Sequence, residues 1–160
     1  MSGALSEGMC IVIANKDDIS RRLYIAANGS ASVSRDDYSV YNVFQLEGFT
    51  TNTSYSSYTN VGKAKLKHLA TGKYLSYSNS QIVLVENVSN AYFFYFCSDW
   101  NTDSEAADNV DIIANSGSNY YYMDAPSYGS IRLSAGGRDH YKWYIYKVAN
   151  GPDSVSSSSN

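Results

Sequence analysis

The sequence predicts an all-β chain of twelve short strands, set in three four-strand units with pseudo-threefold symmetry. Three observations predict it. The stretch AKLKHLATGKYLSYSNSQIVLVENVSNAYFFYF, Ala64 to Phe96, alternates short apolar runs with clusters of turn-forming residues. Positions within it recur elsewhere: Tyr24-Ile25, Tyr74-Leu75 and Tyr122-Met123 lie 50 and 48 residues apart, and Val33, Leu84 and Leu133 lie 51 and 49 apart. An aromatic-x-apolar triplet then closes each unit, as Phe44-Gln45-Leu46, Phe94-Tyr95-Phe96 and Trp143-Tyr144-Ile145, spaced by 50 and 49. A fixed period of this length marks repetition of one supersecondary unit.

Residues 1–8 read as a short arm, and the units as residues 9–49, 64–98 and 110–148 of a single domain, 9–148. The first unit opens on a strand at Ile11 to Ile13 and turns through Asn15 to Arg22, a charged segment holding Lys16, Asp17, Asp18, Arg21 and Arg22. Tyr24-Ile25 and ASVS (Ala31 to Ser34) are its next strands, and Phe44 to Leu46 closes it. Thr50 to Lys63 is polar and lacks a strand period, so it reads as a linker. In the second unit Lys65 to Leu69 is followed by a tight turn, Ala70 to Lys73, where Gly72 supplies a positive φ. Tyr74-Leu75, Ile82 to Val85 and Tyr92 to Phe96 are its remaining strands. Ser78-Asn79-Ser80 and Asn87 to Asn90 turn between them, through residues that hydrogen-bond their own backbone. Ser98 to Asn109 is an acidic linker. The third unit follows with Val110 to Ile113, Tyr122-Met123, IRLS (Ile131 to Ser134) and Trp143 to Ile145. Ala149 to Asn160 is low in complexity and reads as a disordered Ser-rich tail. No stretch has the period of an amphipathic helix.

The His68 to Leu75 run, H-L-A-T-G-K-Y-L, and the three closing triplets resemble the β-trefoil superfamily, most closely its MIR and ricin-B-type repeats, over roughly residues 9 to 148. That resemblance implies a six-stranded barrel closed by a triplet of hairpins. Ricin-B-type lectins carry a Gln-x-Trp in each repeat, whereas the matching places here read Val-Phe-Gln, Phe-Phe-Tyr and Lys-Trp-Tyr. The chain therefore departs from the hallmark of that sugar site. The chain also resembles cytosolic fungal-type β-trefoil lectins, and it resembles the fungal cytosolic and Kunitz-type β-trefoil protease inhibitors in size and in lacking Gln-x-Trp.

At 160 residues the chain is long enough to bury a full core without staples. A net charge of −3 argues against nucleic acid as a partner, because phosphate binding needs a basic face. No apolar run approaches the ~20 residues of a membrane helix, and MSGALSEGM lacks the form of a secretory signal. The expectation is a cytoplasmic protein or one released by a non-classical route, monomeric or homodimeric. Cys10 and Cys97 could pair, but free buried thiols fit a reducing compartment better. The sequons at Asn28, Asn52 and Asn87 read as coincidences in a chain rich in Asn and Ser. Its 16 Tyr among many Ser and Asn resemble a recognition surface, in which Tyr gives rigid contact area and small polar residues adapt. Tyr is also simply a good strand residue.

Motifs for catalysis are missing: there is no phosphate-binding Gly-rich loop, zinc-protease helix, CxxC or nucleophile elbow. His68 reads as a strand-edge or half-buried polar residue, and His140 beside Asp139 has no placed nucleophile. Asp99, Asp103 and Glu105 alternate as oxygen ligands would, but fit no calcium loop, so they read as a solvated acidic segment. No cofactor and no metal are expected. Trp100, in that charged segment, either contacts a partner or plugs an end of the barrel.

The segments before the closing triplets place a carboxylate or amide near a Tyr: Arg35 to Asn42, Glu86 to Tyr92, and Arg138 to Tyr141. A carboxylate that accepts sugar hydroxyls beside an aromatic platform is a workable saccharide site, although hairpin chemistry alone yields the same residues. The reading is a non-catalytic binding protein, a lectin, with Asp37, Tyr38, Asn42, Trp100, Asp139, His140 and Tyr141 as ligand-binding candidates. The alternative is a protease inhibitor working through Lys16 to Arg22, Thr50 to Lys63 or Ser98 to Asn109. A MIR-like or actin-associated interaction module is a third. The partner is accordingly a glycan or a protease.

Overall fold

The computed structural model describes residues 5–34, 38–55, 58–79, 81–97, 106–116, 119–125, 131–134 and 142–148; side chains are described for all of these except 34, 51–55, 58–61, 106–109 and 116. Among the described residues there are twelve strands: β1 (Cys10–Asn15), β2 (Arg22–Ile25), β3 (Ala31–Ser34), β4 (Phe44–Tyr55), β5 (Tyr58–His68), β6 (Lys73–Ser78), β7 (Gln81–Val85), β8 (Phe93–Cys97), β9 (Ala106–Ser116), β10 (Asn119–Asp124), β11 (Arg132–Ser134) and β12 (Trp143–Lys147). The helical segments among the described residues are two single 3-10 turns, Val40–Asn42 and Val88–Asn90. None is long and apolar enough to cross a membrane.

Six strands close on themselves. β1 pairs with β4, β4 with β5, β5 with β8, β8 with β9, β9 with β12, and β12 with β1, every pair antiparallel. Closure leaves this ring with no free edge. The other six strands form three hairpins, β2–β3, β6–β7 and β10–β11, continuing from β1, β5 and β9 respectively.

Alternation along the ring strands decides what fills it. Ile11, Ile13, Phe44, Leu46, Ala64, Leu66, Phe94, Phe96, Val110, Ile112, Trp143 and Ile145 point to one core, each at most 1% exposed. The closing-triplet aromatics occupy matching registers: Phe44 lies opposite Ile11, Phe94 opposite Ala64, and Trp143 opposite Val110. The hairpins add Leu23, Leu75 and Met123, which face Val33, Leu84 and Leu133. In β2 it is Leu23 that faces Val33, whereas Ile25 faces Ala31. A slip of two residues keeps every side chain on its face, so the apolar pattern cannot register it.

Thr50 to Lys63 is not a linker. β4 and β5 form one long hairpin through it, with register shifts between Glu47 and Thr50, Thr50 and Thr53, and Thr53 and Tyr55. Bulges of this kind break the period-two pattern while leaving Thr, Tyr and Val in strand conformation. The C-terminal part of Ser98 to Asn109 likewise belongs to β9, which begins at Ala106. The remaining acidic residues, 98–105, and the Ser-rich tail, 149–160, lie outside the described residues. The arm is fastened where described: Leu5 is buried, and the Glu7 carboxylate accepts from the Phe49 amide at 2.6 Å. Turn chemistry follows the sequence, with Gly72 at φ 74° and its N–H on the His68 carbonyl.

His68 is fully buried rather than half-buried. Its Nε2 donates to the Tyr41 carbonyl at 3.1 Å, which leaves Nδ1 to accept from the Thr71 hydroxyl at 2.9 Å. Burial pushes its pKa below the ordinary value of 6.5, against the opposing hydrogen bond to Tyr41. Below pH 6.5 the unfolded chain therefore binds a proton that the native state refuses, and stability falls with pH until the native pKa is passed. Urea midpoints measured from pH 8 to pH 5 are expected to decline over this window. His68→Gln should flatten that decline; an unchanged slope in the variant would contradict the assignment. Cys10 and Cys97 are free thiols. Burial, then the nearby Asp111 carboxylate, pushes the Cys97 thiol up to about 12, with Lys142 opposing.

Candidate ligand-binding surface

The segment before β4 is built by its own side chains. Ser39 caps the 3-10 turn, its hydroxyl accepting from the Tyr41 amide at 3.2 Å, while Asn42 Oδ1 accepts from the Ser39 amide at 3.0 Å. This reciprocal cap satisfies two amides at once. Asn42 is 2% exposed, and its Nδ2 donates to the Leu23 carbonyl at 3.0 Å. Both ends of its amide are thus committed inside the protein. Asn42, a ligand-binding candidate from sequence, is placed here inside the protein, where it positions the turn.

Tyr38, next to that cap, is half-buried against the outer face of the barrel, over Val12 and Val43. The Arg22 guanidinium lies 5.0 Å from the centre of its ring, within reach of a cation–π contact. Arg22 Nε also donates to the Tyr146 hydroxyl at 3.2 Å. Tyr144 stands 5.9 Å from Tyr146, ring centre to ring centre. Register explains the gathering: Ala14 pairs with both Arg22 and Tyr144, and Val12 pairs with Tyr146, so these side chains share one face of β2, β1 and β12. Burial, then Tyr146, pushes the Tyr38 phenol up to about 12, with Arg22 opposing. At neutral pH Tyr38 therefore keeps its hydroxyl proton, beside a guanidinium and two further phenol rings, all partly open to solvent.

Two other outer faces have related make-up. On β5 and β8, Lys63 Nζ lies 4.7 Å from the Phe93 ring centre and Lys65 Nζ 5.0 Å from it. Tyr95 and Tyr120 meet edge to face at 6.1 Å beside them. On β4 and β6 the Tyr74 hydroxyl donates to Glu47 Oε1 at 3.0 Å. This is a described tyrosine–carboxylate pair that sequence reading missed, because the partners are brought together only by the β4–β5–β6 register. Of the candidates, Asp37, Trp100, Asp139, His140 and Tyr141 lie outside the described residues. Tyr38 is the candidate found on an open surface, and its partners Arg22, Tyr144 and Tyr146 were not anticipated.

No three His, Cys, Asp or Glu among the described residues are placed to hold a metal ion. A half-buried ion pair, Lys142 Nζ to Asp111 Oδ2 at 2.7 Å, lies near the Cys97 thiol.

The closed ring with its three hairpins defines the class: an all-β, β-trefoil-like barrel with aromatic side chains on its outer faces. Solved structures agree on the fold. A Caenorhabditis elegans protein of unknown function matches with a TM-score of 0.59 at 11% identity, over 88% of this chain and 94% of that one. SeviL, solved bound to the asialo-GM1 saccharide, matches with a TM-score of 0.55 at 11% identity, over 89% and 99%. The SDF2-like protein from Arabidopsis thaliana matches with a TM-score of 0.54 at 10% identity, over 91% and 98%. No family model and no curated protein sequence matches the chain.

Proposed function

We propose that this chain is a non-catalytic carbohydrate-binding protein that lays a sugar ring on the Tyr38–Arg22–Tyr146 platform. The observation that carries the reading is the guanidinium held over the Tyr38 ring and tied to the Tyr146 hydroxyl. A saccharide has an apolar face, which covers an aromatic ring, and hydroxyls, which a guanidinium and phenols can bond. The cap and the strand register hold these groups before a ligand arrives, so little ordering cost falls on binding. The saccharide-bound SeviL structure supports the reading through shared fold alone. The same proposal includes threefold repetition of one four-strand unit, supported by the matching registers of Phe44, Phe94 and Trp143.

A glycan array followed by calorimetry tests it. Tyr38→Ala and Arg22→Ala should each weaken the best glycan roughly 10- to 100-fold, the scale of losing a binding hot spot. Both variants should stay folded, Arg22→Ala with a nearly unchanged unfolding midpoint and Tyr38→Ala with a modest drop from its lost packing on Val12 and Val43. Wild-type affinity in both variants would end the proposal.

One observation favours inhibition of a protease as a second reading. The Asn15 to Arg22 turn is braced internally: Asn15 Oδ1 accepts from the Asp17 and Asp18 amides, and Asp18 Oδ1 accepts from the Ser20 amide. On it Ile19 stands 51% exposed. A rigid loop presenting one apolar side chain is suited to an enzyme cleft. A panel of serine, cysteine and aspartic proteases, assayed with wild type and Ile19→Asp, separates the two readings.

A further inference from the structure

At the hairpin end of the molecule lies an open cleft of about 520 Å³, away from the tyrosine platform. All three hairpin regions contribute to it: residues 27–31 at the β2–β3 turn, Lys73 and residues 81–84 from β6 and β7, and Ile131 just before β11. Its volume falls within the roughly 300–1,000 Å³ of small-molecule sites. Ile82, Leu84, Ile131 and Ala31 give it an apolar part. Asn28, Ser30 and Gln81 add amide and hydroxyl groups at exposed positions.

The charge on the lining is one-sided. Among the described residues Lys73 is its one ionisable side chain, and none of the described lining residues is a carboxylate. Among the described residues, the Lys73 ammonium has no hydrogen-bond or ion-pair partner, unlike Lys65 on the Val88 carbonyl and Lys142 on Asp111. Position explains this: Lys73 pairs with His68 at the start of β6, and the neighbouring turn residue Thr71 spends its hydroxyl on His68 and on the Lys73 amide. The turn facing it is braced by its own bonds, Asn28 Oδ1 accepting from the Ser30 amide at 2.9 Å and the Ala26 carbonyl from the Gly29 amide at 2.8 Å. Among the described residues the cleft thus has one braced wall and one unneutralised cation.

We propose that this cleft is a second ligand site, selective for a saccharide that carries a carboxylate, such as a uronic acid. Lys73 meets the carboxylate, Gln81 and Ser30 bond the ring hydroxyls, and the ring's apolar face covers Ile82 and Leu84. The tyrosine platform plays no part, so this site stands or falls separately from it. A cation at a partly open site gives a salt-dependent attraction, and weak affinity is expected for a single ring.

Titration of the 15N-labelled chain with glucuronate, followed by amide shifts, tests the inference. Shifts should centre on Asn28, Gly29, Ser30 and Gln81, saturate at millimolar ligand and weaken with added salt. Glucose and acetate, which each carry half of the required chemistry, should bind at least tenfold more weakly. Lys73→Gln should cost tenfold or more while Lys73→Arg retains binding, and Tyr38→Ala should change nothing here. Absence of shifts at these amides at tens of millimolar glucuronate would overturn the proposal. Glucose or acetate binding as well as glucuronate would overturn it equally, as would full binding by Lys73→Gln.

Discussion

Replacing Trp143 by Ala is expected to cost about 3–5 kcal/mol of stability, the range for truncating a fully buried aromatic. Trp143 is 0% exposed and sits in the same core as Phe44 and Phe94. Its indole also does something the two phenylalanines cannot. Nε1 donates to the Met123 carbonyl at 3.1 Å, joining the closing strand to the β10–β11 hairpin inside the core. The corresponding carbonyls in the other hairpins find other donors: Leu23 takes the Asn42 amide group, and Leu75 takes the Tyr92 backbone N–H. Trp143→Phe keeps most of the apolar volume but strands the Met123 carbonyl, so about 1–3 kcal/mol should still be lost. Urea unfolding of wild type and the two variants measures both numbers. A loss under 1 kcal/mol for Trp143→Ala would mean that the ring is not in the core at all.

The second large effect is expected at Asn42. Asn42→Ala leaves the buried Leu23 carbonyl and the Ser39 amide without the partners that Asn42 supplies, at about 1–3 kcal/mol for each group, or roughly 2–6 kcal/mol in all. Glycan affinity should fall with it, because the cap that Asn42 completes fixes the position of Tyr38. The two readouts separate a structural role from a ligand contact. Loss of affinity at full stability would restore Asn42 as a residue that touches sugar.

Much of the barrel was legible because six strands share one rule, apolar in and mixed out, and because the aromatic triplets recur at nearly constant spacing. The failures have physical causes. In the β4–β5 hairpin, bulges shift the register three times, so Thr50 to Lys63 shows no period even though it is paired throughout much of its length. At Leu23 and Ile25 both residues are buried, so the apolar pattern alone does not say which of them faces Val33. His68 was placed too near the surface because its burial depends on the Tyr41 carbonyl, 27 residues away in another unit. At the candidate site, Tyr38 could be read from its local neighbours. Its companions could not: Arg22 and Tyr146 are 124 residues apart and meet only because β2 and β12 flank β1. The hairpin cleft was invisible for the same reason, since its walls come from three separate turns.

Amide-shift mapping with the strongest glycan from an array tests the central claim most directly. Sugar binding on the platform predicts that the largest shifts fall at Arg22, Tyr38, Tyr144 and Tyr146, with residues 16–20 unmoved. A silent array, together with shifts confined to Lys16 to Ser20 when a protease is added, would contradict the account.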